Sequence, residues 1–368
     1  MKTKTFILCL AGSLMLACSS ITVAIDPTAP PQSPTGAPTV GIQATVAPAT
    51  QTETVSPGET ATPDVTVPPP IDPTGGPNLA GCPMFPPDHI WNVPIDSLPV
   101  DVNSAAYINS IGRDTGLHPD FGSGEWEGGP IGIPFTVADA TTPRTTVSFE
   151  YADESDPGPY PIPADAPIEG GPNSDGDRHI LIVETSECKL YELYAAYPQG
   201  NNSWQAGSGA IWDLRDYALR PDEWTSADAA GLPILPGLVR YDEVVAGEIK
   251  HALRFTVENT RAEFIWPAKH QASDSDDPNL PPMGQRFRLK ASFDISPYPR
   301  EVQIILRAMQ VYGLILADNG SNWFISGAPD ERWNNDELGD SLREITGDNF
   351  EAVDVSGLRV EADSGKTK

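Results

Sequence analysis

Residues 177–194 read DRHILIVETSECKLYELY. Two runs rich in apolar and aromatic residues, 180–184 and 189–194, flank a short stretch whose composition is typical of a turn. Such runs on either side of a turn predict a β-hairpin. We expect this hairpin to lie in the middle of the folded part of the chain.

Similar short apolar runs continue on both sides of the hairpin, separated by glycine, proline and aspartate. The runs are 131–137, 145–151, 210–214, 249–258, 262–266, 313–317 and 323–326. Capping residues and apolar stripes predict three helices: one capped by Asn103 or Ser104 that ends at Ile111, one at 299–312, and one from Asn335 or Asp336 to Ile345. Strands dominate and do not alternate with helices, so we predict a mostly β fold: an antiparallel β-sandwich-like core with a few short peripheral helices.

The N-terminus has the features of an export signal. Two lysines precede an apolar run, 6–17, which is too short for an ordinary membrane span and suits the central part of a signal peptide. Residues 15–18, Met-Leu-Ala-Cys, resemble a bacterial lipobox, in which Cys18 is acylated and becomes the lipid anchor. We predict a signal peptide at 1–24. Cleavage after Ala24, giving a fully secreted protein, is the alternative.

Composition divides the rest of the chain. Between residues 26 and 77 there are 13 prolines, 11 threonines and no lysine or arginine. Such a segment cannot bury enough apolar surface to offset chain entropy, so 25–77 is predicted to be a disordered Pro/Thr-rich stalk. A single globular domain is expected at 78–356, and a flexible tail at 357–368.

The chain carries 51 acidic and 23 basic residues, a formal net charge of −28. A protein that binds phosphate backbones, or anionic lipid through a basic patch, needs the opposite sign. Nucleic acid is therefore excluded as a partner, and a membrane is expected only through the lipid anchor. Of the four cysteines, Cys82 and Cys188 lie beyond the signal and the anchor, and in an oxidising compartment they predict one disulfide.

Two carboxylates of the hairpin are the first candidates for catalysis. If pairing centres on Cys188, Glu184 lies opposite Glu192, and like charges in that position persist where they share a proton or do acid–base work. Two carboxylates about 5 Å apart have the geometry of a retaining glycosidase. A change of register by one residue would instead place them on opposite faces. Asp213 is a further candidate.

A second candidate set lies at His251 and Arg254. A histidine beside a neutralising arginine suits the base of a polysaccharide lyase, and a hydrogen-bonded structural histidine is the alternative. The aromatic residues Trp204, Trp212 and Tyr194 are candidate platforms for sugar rings, although such residues also fill β-sandwich cores.

No cofactor is expected from the sequence. Residues 173–177, Asn-Ser-Asp-Gly-Asp, offer oxygen atoms at alternate positions as calcium loops do, but the complete EF-hand pattern is not met. Calcium is the alternative to a solvated acidic loop. The patterns of serine hydrolases, zinc proteases and phosphate-binding loops are absent.

Three stretches carry a resemblance: WTSADAAGLPILPGLV at 224–239, HALRF at 251–255 and ADNGS at 317–321. Together they resemble a group of secreted bacterial proteins of unassigned function. The resemblance implies an exported bacterial origin and assigns no catalytic residue.

The function expected from these observations is that of a cell-surface, glycan-active enzyme, either a glycoside hydrolase or a polysaccharide lyase. Its partner would be an extracellular polysaccharide or a cell-wall glycan, and its location the cell envelope, on the outer surface of a bacterial membrane. The competing interpretation is a non-catalytic surface lipoprotein that binds glycan or another envelope component.

Overall fold

The computed structural model describes residues 75–368. The predicted signal peptide, Cys18 and almost all of the predicted stalk lie outside the described residues. The described residues fall within one compact unit. No helix in 75–368 is both long and apolar enough to cross a membrane.

Strands and a few short helices make up the described chain, as predicted. In order they are β1 (Asn78–Leu79), β2 (Cys82–Pro83), α1 (Ser104–Ile111), β3 (His118–Asp120), β4 (Glu125–Trp126), β5 (Gly129–Pro130), β6 (Phe135–Ala138), β7 (Thr146–Phe149), β8 (Ile180–Glu184), β9 (Lys189–Tyr194), β10 (Tyr197–Gly200), β11 (Ser203–Ala206), β12 (Ser208–Asp213), α2 (Tyr241–Ala246), β13 (Leu253–Val257), β14 (Arg286–Leu289), α3 (Arg300–Val311), β15 (Leu314–Asn319), β16 (Phe324–Ser326), α4 (Asn335–Arg343) and β17 (Phe350–Val353). The strand predicted at 262–266 is wrong: only an isolated bridge from Phe264 to Met283 forms there.

Two large sheets organise the domain. One has the order β17-β14-β15-β13-β16-β3, and the other the order β12-β9-β8-β6. A smaller sheet has the order β10-β11-β7. Most strand pairs are antiparallel, but β6–β8, β7–β11, β13–β15 and β3–β16 are parallel.

The four-stranded sheet is buried on both faces. Leu181 and Val183 belong to a core shared with the six-stranded sheet. Ile180 and Ile182, on the opposite face, pack in a second core with the three-stranded sheet. Burial on both faces explains why β8 is a continuous apolar run rather than an alternating one. The sandwich-like core is confirmed, with a third layer on its outer side.

The turn from α3 into β15 requires a glycine. Gly313 has a φ of +71°, a conformation that favours glycine. A Cβ atom there would also lie 2.2 Å from the carbonyl oxygen of Phe287. This close approach brings β15 directly beside β14, and so places the end of β15 at the candidate site described below.

The disulfide prediction is confirmed. Cys82 and Cys188 are bonded, with their Cα atoms 5.3 Å apart, and the bond ties β2 to the turn between β8 and β9.

The predicted flexible tail is instead packed against the start of the domain. The amide and the hydroxyl of Thr367 both donate to the carbonyl oxygen of Asp88, at 2.9 and 2.8 Å. Lys366 forms a bridge with His89. The final residues therefore belong to the folded unit, because they satisfy backbone groups that would otherwise be left without partners.

Candidate active site

The register of the β8–β9 hairpin separates the two carboxylates proposed from the sequence. Glu184 lies opposite Lys189, and Glu192 lies opposite Leu181. The pairing is centred between residues 186 and 187, so the prediction of a turn centred on Cys188 was wrong. Since side chains alternate along a strand, Glu184 and Glu192 point to opposite faces of the sheet.

Both carboxylates have structural partners. Glu184 accepts hydrogen bonds from the Ser186 hydroxyl and, at 3.1 Å, from the Glu187 amide, and so closes the hairpin turn. Glu192 is fully buried and accepts from the amides of Ile234 and Leu235 at 3.0 and 2.9 Å. It thereby fixes the segment around residue 234 against the four-stranded sheet.

The buried carboxyl of Glu192 gives a prediction about stability and pH. Burial raises its pKa to about 7, although the amides of Leu235 and Ile234 oppose the shift. Between the ordinary pKa and 7 the native state keeps a proton that the unfolded chain loses, so this contribution to stability falls as pH rises through that range. Compared with Glu192→Gln, the wild type should lose about 3 kcal/mol of unfolding free energy between pH 4.5 and pH 7.5. Urea unfolding of both proteins at several pH values measures this, and a difference that stays constant with pH would contradict it.

Asp213 and two of the aromatic candidates also have structural contacts. Asp213 is exposed, and its side chain accepts from the Arg215 amide at 2.9 Å, which shapes the turn after β12. Trp212 is buried, and its Nε1 atom donates to Glu192 at 3.3 Å. Trp204 packs against the second core. Through these contacts Asp213, Trp212 and Trp204 stabilise the fold.

The structure also separates His251 from Arg254. His251 is fully buried and its Nε2 atom lies 3.0 Å from Glu243, which also pairs with Arg240 at 2.8 Å. This is the structural alternative weighed for His251. Arg254, by contrast, lies in a group of ionisable side chains beside a cleft.

Arg254 is the centre of that group. Its guanidinium donates two hydrogen bonds to Asp228, at 2.7 and 2.8 Å, and others to Ser326 at 2.6 Å and Asp318 at 3.1 Å. Burial works against its charge, but Asp228 and then Asp318 outweigh this and raise the pKa of Arg254. Burial and the charge of Asp228 in turn raise the pKa of Asp318 to about 7.

A histidine and a glutamate form a second ion pair in the same group. Nδ1 of His179 lies 2.5 Å from Oε2 of Glu169, and its Nε2 lies 2.9 Å from the carbonyl oxygen of Ala227. Both ring nitrogens face acceptors, so both carry protons and the ring is an imidazolium. Burial alone would lower the pKa of His179, but Glu169 and Asp177 raise it to about 9.

The same pair keeps Glu169 ionised. Burial alone would raise its pKa, but the charge and hydrogen bonds of His179 reverse this and hold the pKa of Glu169 below its ordinary value. Only Oε2 is used in these contacts. Oε1 accepts no hydrogen bond from any residue in 75–368, so it is available to water or a ligand.

Asp120 is the opposite case. Burial against the surrounding protein and the charge of Glu169 raise the pKa of its carboxyl above the ordinary value. The residue is nevertheless exposed to solvent, and its side chain has no hydrogen-bond partner within the described range. Asp120 ends β3, and β3 reaches this position by pairing in parallel with β16.

Asp120 and Glu169 line one cleft of about 650 Å³. We call it the Trp126 cleft, after a tryptophan on its wall that is 72% exposed. Its lining consists of residues 118–121, 126–127, 130–132, 169–170, 173–175, 335, 339 and 343. Inside it, the imidazole of His118 stacks on Phe324 with ring centroids 4.1 Å apart.

Tyr194 is the one aromatic candidate near this group. Its ring centroid lies 5.8 Å from that of His179, and it is partly exposed. Burial and the charge of Asp177 raise its pKa. Of the residues proposed from the sequence, the structure therefore brings Arg254 and Tyr194 close to this ionisable group, although neither lines the Trp126 cleft itself.

The loop considered for calcium is organised by an arginine. Arg178 is buried and donates to the carbonyl oxygens of Pro172 and Ser174 at 3.0 and 2.9 Å. Its guanidinium satisfies loop carbonyls that could otherwise face a cation. Side-chain atoms of Glu169, Asp177 and His179 lie within 4.8 Å of one another. A metal ion would need an unprotonated Nδ1 on His179, whereas this nitrogen carries the proton that is donated to Glu169.

A second cavity, of about 450 Å³, lies elsewhere, between residues 264–269 and 353–359. The buried ammonium of Lys269 there is neutralised by Asp222 and Asp363 at 2.6 and 2.7 Å. The Asp222 carboxylate of this cavity is taken up in that ion pair, whereas Asp120 in the Trp126 cleft has no hydrogen-bond partner for its side chain among the described residues. The chemistry therefore favours the Trp126 cleft as the functional site.

Sequence reasoning missed Asp120, Glu169 and His179 as site residues. His179 and Asp318 each carried a signal, because each is an ionisable residue at one end of an apolar strand. Asp228 carried another, since it is an acidic residue within the apolar run Ala-Asp-Ala-Ala. Glu169 lies in a loop and carried none.

Comparison of the chain with protein-family models, curated proteins and solved structures gave no match.

Proposed function

We propose that the protein is a glycoside hydrolase, with Asp120 as the general acid and Glu169 as the catalytic carboxylate. The observation that carries the proposal is that these two side chains line one open cleft while their surroundings favour opposite protonation states. A protonated acid beside an ionised carboxylate is the division of labour that glycoside cleavage requires.

Each residue has a distinct task in this proposal. Asp120 donates its proton to the oxygen of the leaving sugar, and Oε1 of Glu169 faces the developing positive charge at the anomeric carbon or activates a water molecule. His179 is a positioning residue, because it orients Glu169 through Oε2 and keeps it ionised. The exposed ring of Trp126 supplies a surface on which a sugar ring can stack.

A glycan screen tests the proposal directly. Plant, algal and bacterial-wall glycans are incubated with the wild type and with the double variant D120N/E169Q, and new reducing ends are counted. Cleavage by the wild type alone is the expected result. Cleavage by both proteins would move the site elsewhere, and unsaturated products would indicate a lyase. No cleavage, with retention of the protein on a glycan column, would favour the non-catalytic binding protein.

We propose further that the enzyme acts at the cell envelope, with Cys18 as its lipid anchor. This rests on the lipobox-like sequence and on the high proline and threonine content of residues 25–77. Two acyl chains on one cysteine are enough for stable membrane attachment. Cys18→Ser should therefore move the protein from the detergent phase to the aqueous phase in Triton X-114 partitioning. A wild-type protein already found in the aqueous phase, and cleaved after Ala24, would contradict the anchor.

A further inference from the structure

The Trp126 cleft has an excess of negative charge beyond its two catalytic carboxylates. Glu127 and Asp175 also line it, and both are exposed. Neither forms an ion pair with another residue of 75–368. A fixed negative potential in a cleft with low-dielectric walls raises the local concentration of cationic ligands and lowers that of anionic ones.

The basic residues of the cleft do not cancel this charge. Arg343 lines it from α4, but its guanidinium donates to Asp340 at 2.6 Å. Burial lowers the pKa of His118; the charge of Asp120 acts against this, and the smaller effect of Arg343 adds to the lowering. His118 therefore contributes a neutral ring at pH 7. Of the four carboxyl groups, Asp120 is the protonated acid of the proposed mechanism and Glu169 is paired with His179, so the unpaired negative charge comes from Glu127 and Asp175.

Positive charge in the same group lies behind the acidic wall. Arg254 and His179 are both buried. Arg254 forms an ion pair with Asp228, and His179 forms one with Glu169. Their positive charges compensate buried carboxylates. Because neither residue lines the cleft, neither offers a hydrogen-bond donor to a ligand there. A uronic-acid polymer would therefore meet carboxylates on entering the cleft.

We propose that the preferred substrate is a glycan that bears protonated amino groups, such as a glucosamine polymer, with Glu127 and Asp175 as its specificity-determining residues. This rests on the proposed function only in placing a glycan in the cleft. The amino groups would pair with the two exposed carboxylates that line the cleft together with the catalytic pair, while the sugar faces pack on Trp126 and His118. Electrostatic complementarity of this kind decides specificity between charged and uncharged versions of one polymer.

The test compares three hexasaccharides with the full-length wild-type protein: glucosamine, N-acetylglucosamine and galacturonate. Binding is measured by calorimetry at a pH at which the glucosamine amine is protonated. The glucosamine hexamer should bind about tenfold more tightly than the acetylated one, and the galacturonate hexamer should bind most weakly. Raising the salt concentration should remove most of the difference, because screening weakens interactions between exposed charges.

Matched charge variants decide which residues are responsible. The double variant E127Q/D175N should lose about tenfold in affinity for the glucosamine hexamer and little for the acetylated one. The control E361Q/D274N removes two exposed carboxylates outside the cleft and should change neither affinity. Equal binding of all three hexamers, tighter binding of galacturonate, or an equal effect of the control would overturn the proposal.

Product analysis of the same samples reports on hydrolysis independently. Charge-selective binding without cleavage would leave the specificity assignment standing and refute the proposed enzyme. Cleavage without charge selectivity would support the proposed enzyme and refute the specificity assignment.

Discussion

Replacement of either proposed catalytic carboxyl group, by Glu169→Gln or by Asp120→Asn, should lower kcat/KM on a responsive glycan by about 10²- to 10⁴-fold, the usual contribution of a general acid or base. Each change keeps the shape of the side chain and removes its titration. Asp120→Asn should change stability little, because the carboxyl of Asp120 has no hydrogen-bond partner among the described residues. Glu169→Gln removes the ionic partner of the buried His179 and should lower stability, so its activity is measured at a temperature at which the purified variant is folded. Glu361→Gln, an exposed change outside the cleft, is the matched control and should leave activity unchanged.

The pH profile gives this prediction a sharper form. Wild-type activity should fall at low pH as Glu169 is protonated, and at high pH as Asp120 loses its proton, since the pKa of Glu169 is lowered and that of Asp120 is raised. Residual activity in Glu169→Gln should lack the acidic limb, and in Asp120→Asn the alkaline limb. Profiles that keep both limbs in both variants would mean that other groups carry the reaction.

His179→Gln separates positioning from mere support of the fold. Without the imidazolium, the pKa of Glu169 should rise, so the acidic limb of the profile should move to higher pH. A purely structural histidine would lower activity at every pH and leave the limb in place. The profile of the purified variant therefore distinguishes the two roles even if its melting temperature falls.

Loss of the disulfide should have the largest effect on stability. The double variant C82S/C188S opens a loop between residues separated by 106 positions, and the chain-entropy account gives about 4–5 kcal/mol for a loop of that size. Since single domains are stable by only about 5–15 kcal/mol, much of the variant should be unfolded near 37 °C. Urea unfolding of the oxidised wild type and the variant measures the difference. A loss below about 1 kcal/mol would show that contacts in the unfolded chain already restrict this loop.

The strand content and the disulfide could be predicted because the sequence left few other possibilities for each. Apolar runs of strand length recur along the chain, and two cysteines remained once the signal and anchor had been assigned. The hairpin itself was also predictable, but its register depends on the conformation of the turn. Cys188 has a φ of +51°, which the sequence gives no reason to expect of a cysteine. That local choice decided that Glu184 and Glu192 lie on opposite faces.

The cleft was beyond reach of sequence patterns for a different reason. Asp120 reaches it because β3 pairs with β16, some two hundred residues later in the chain. Glu169 reaches it from a loop that has no periodicity, held by Arg178 and by its own backbone contact with His179. The local composition of a segment does not reveal which distant segment it pairs with. Arg254 was found because a charged residue within a strand is conspicuous anywhere in the chain.

The bond between Cys82 and Cys188 also fixes how the domain would respond to mechanical force. If the protein is tethered through its N-terminal segment, a pull from the cell surface enters the domain just before Cys82. The sulfur atoms then transmit the tension to the turn between β8 and β9, at one end of a sheet that is buried on both faces. This covalent route to the interior bypasses the chain between Cys82 and Cys188, so the strands β3 to β8 are not peeled away one hydrogen bond at a time. The domain would thus be loaded at its most deeply buried layer while the cleft, assembled partly from the other large sheet, keeps its shape.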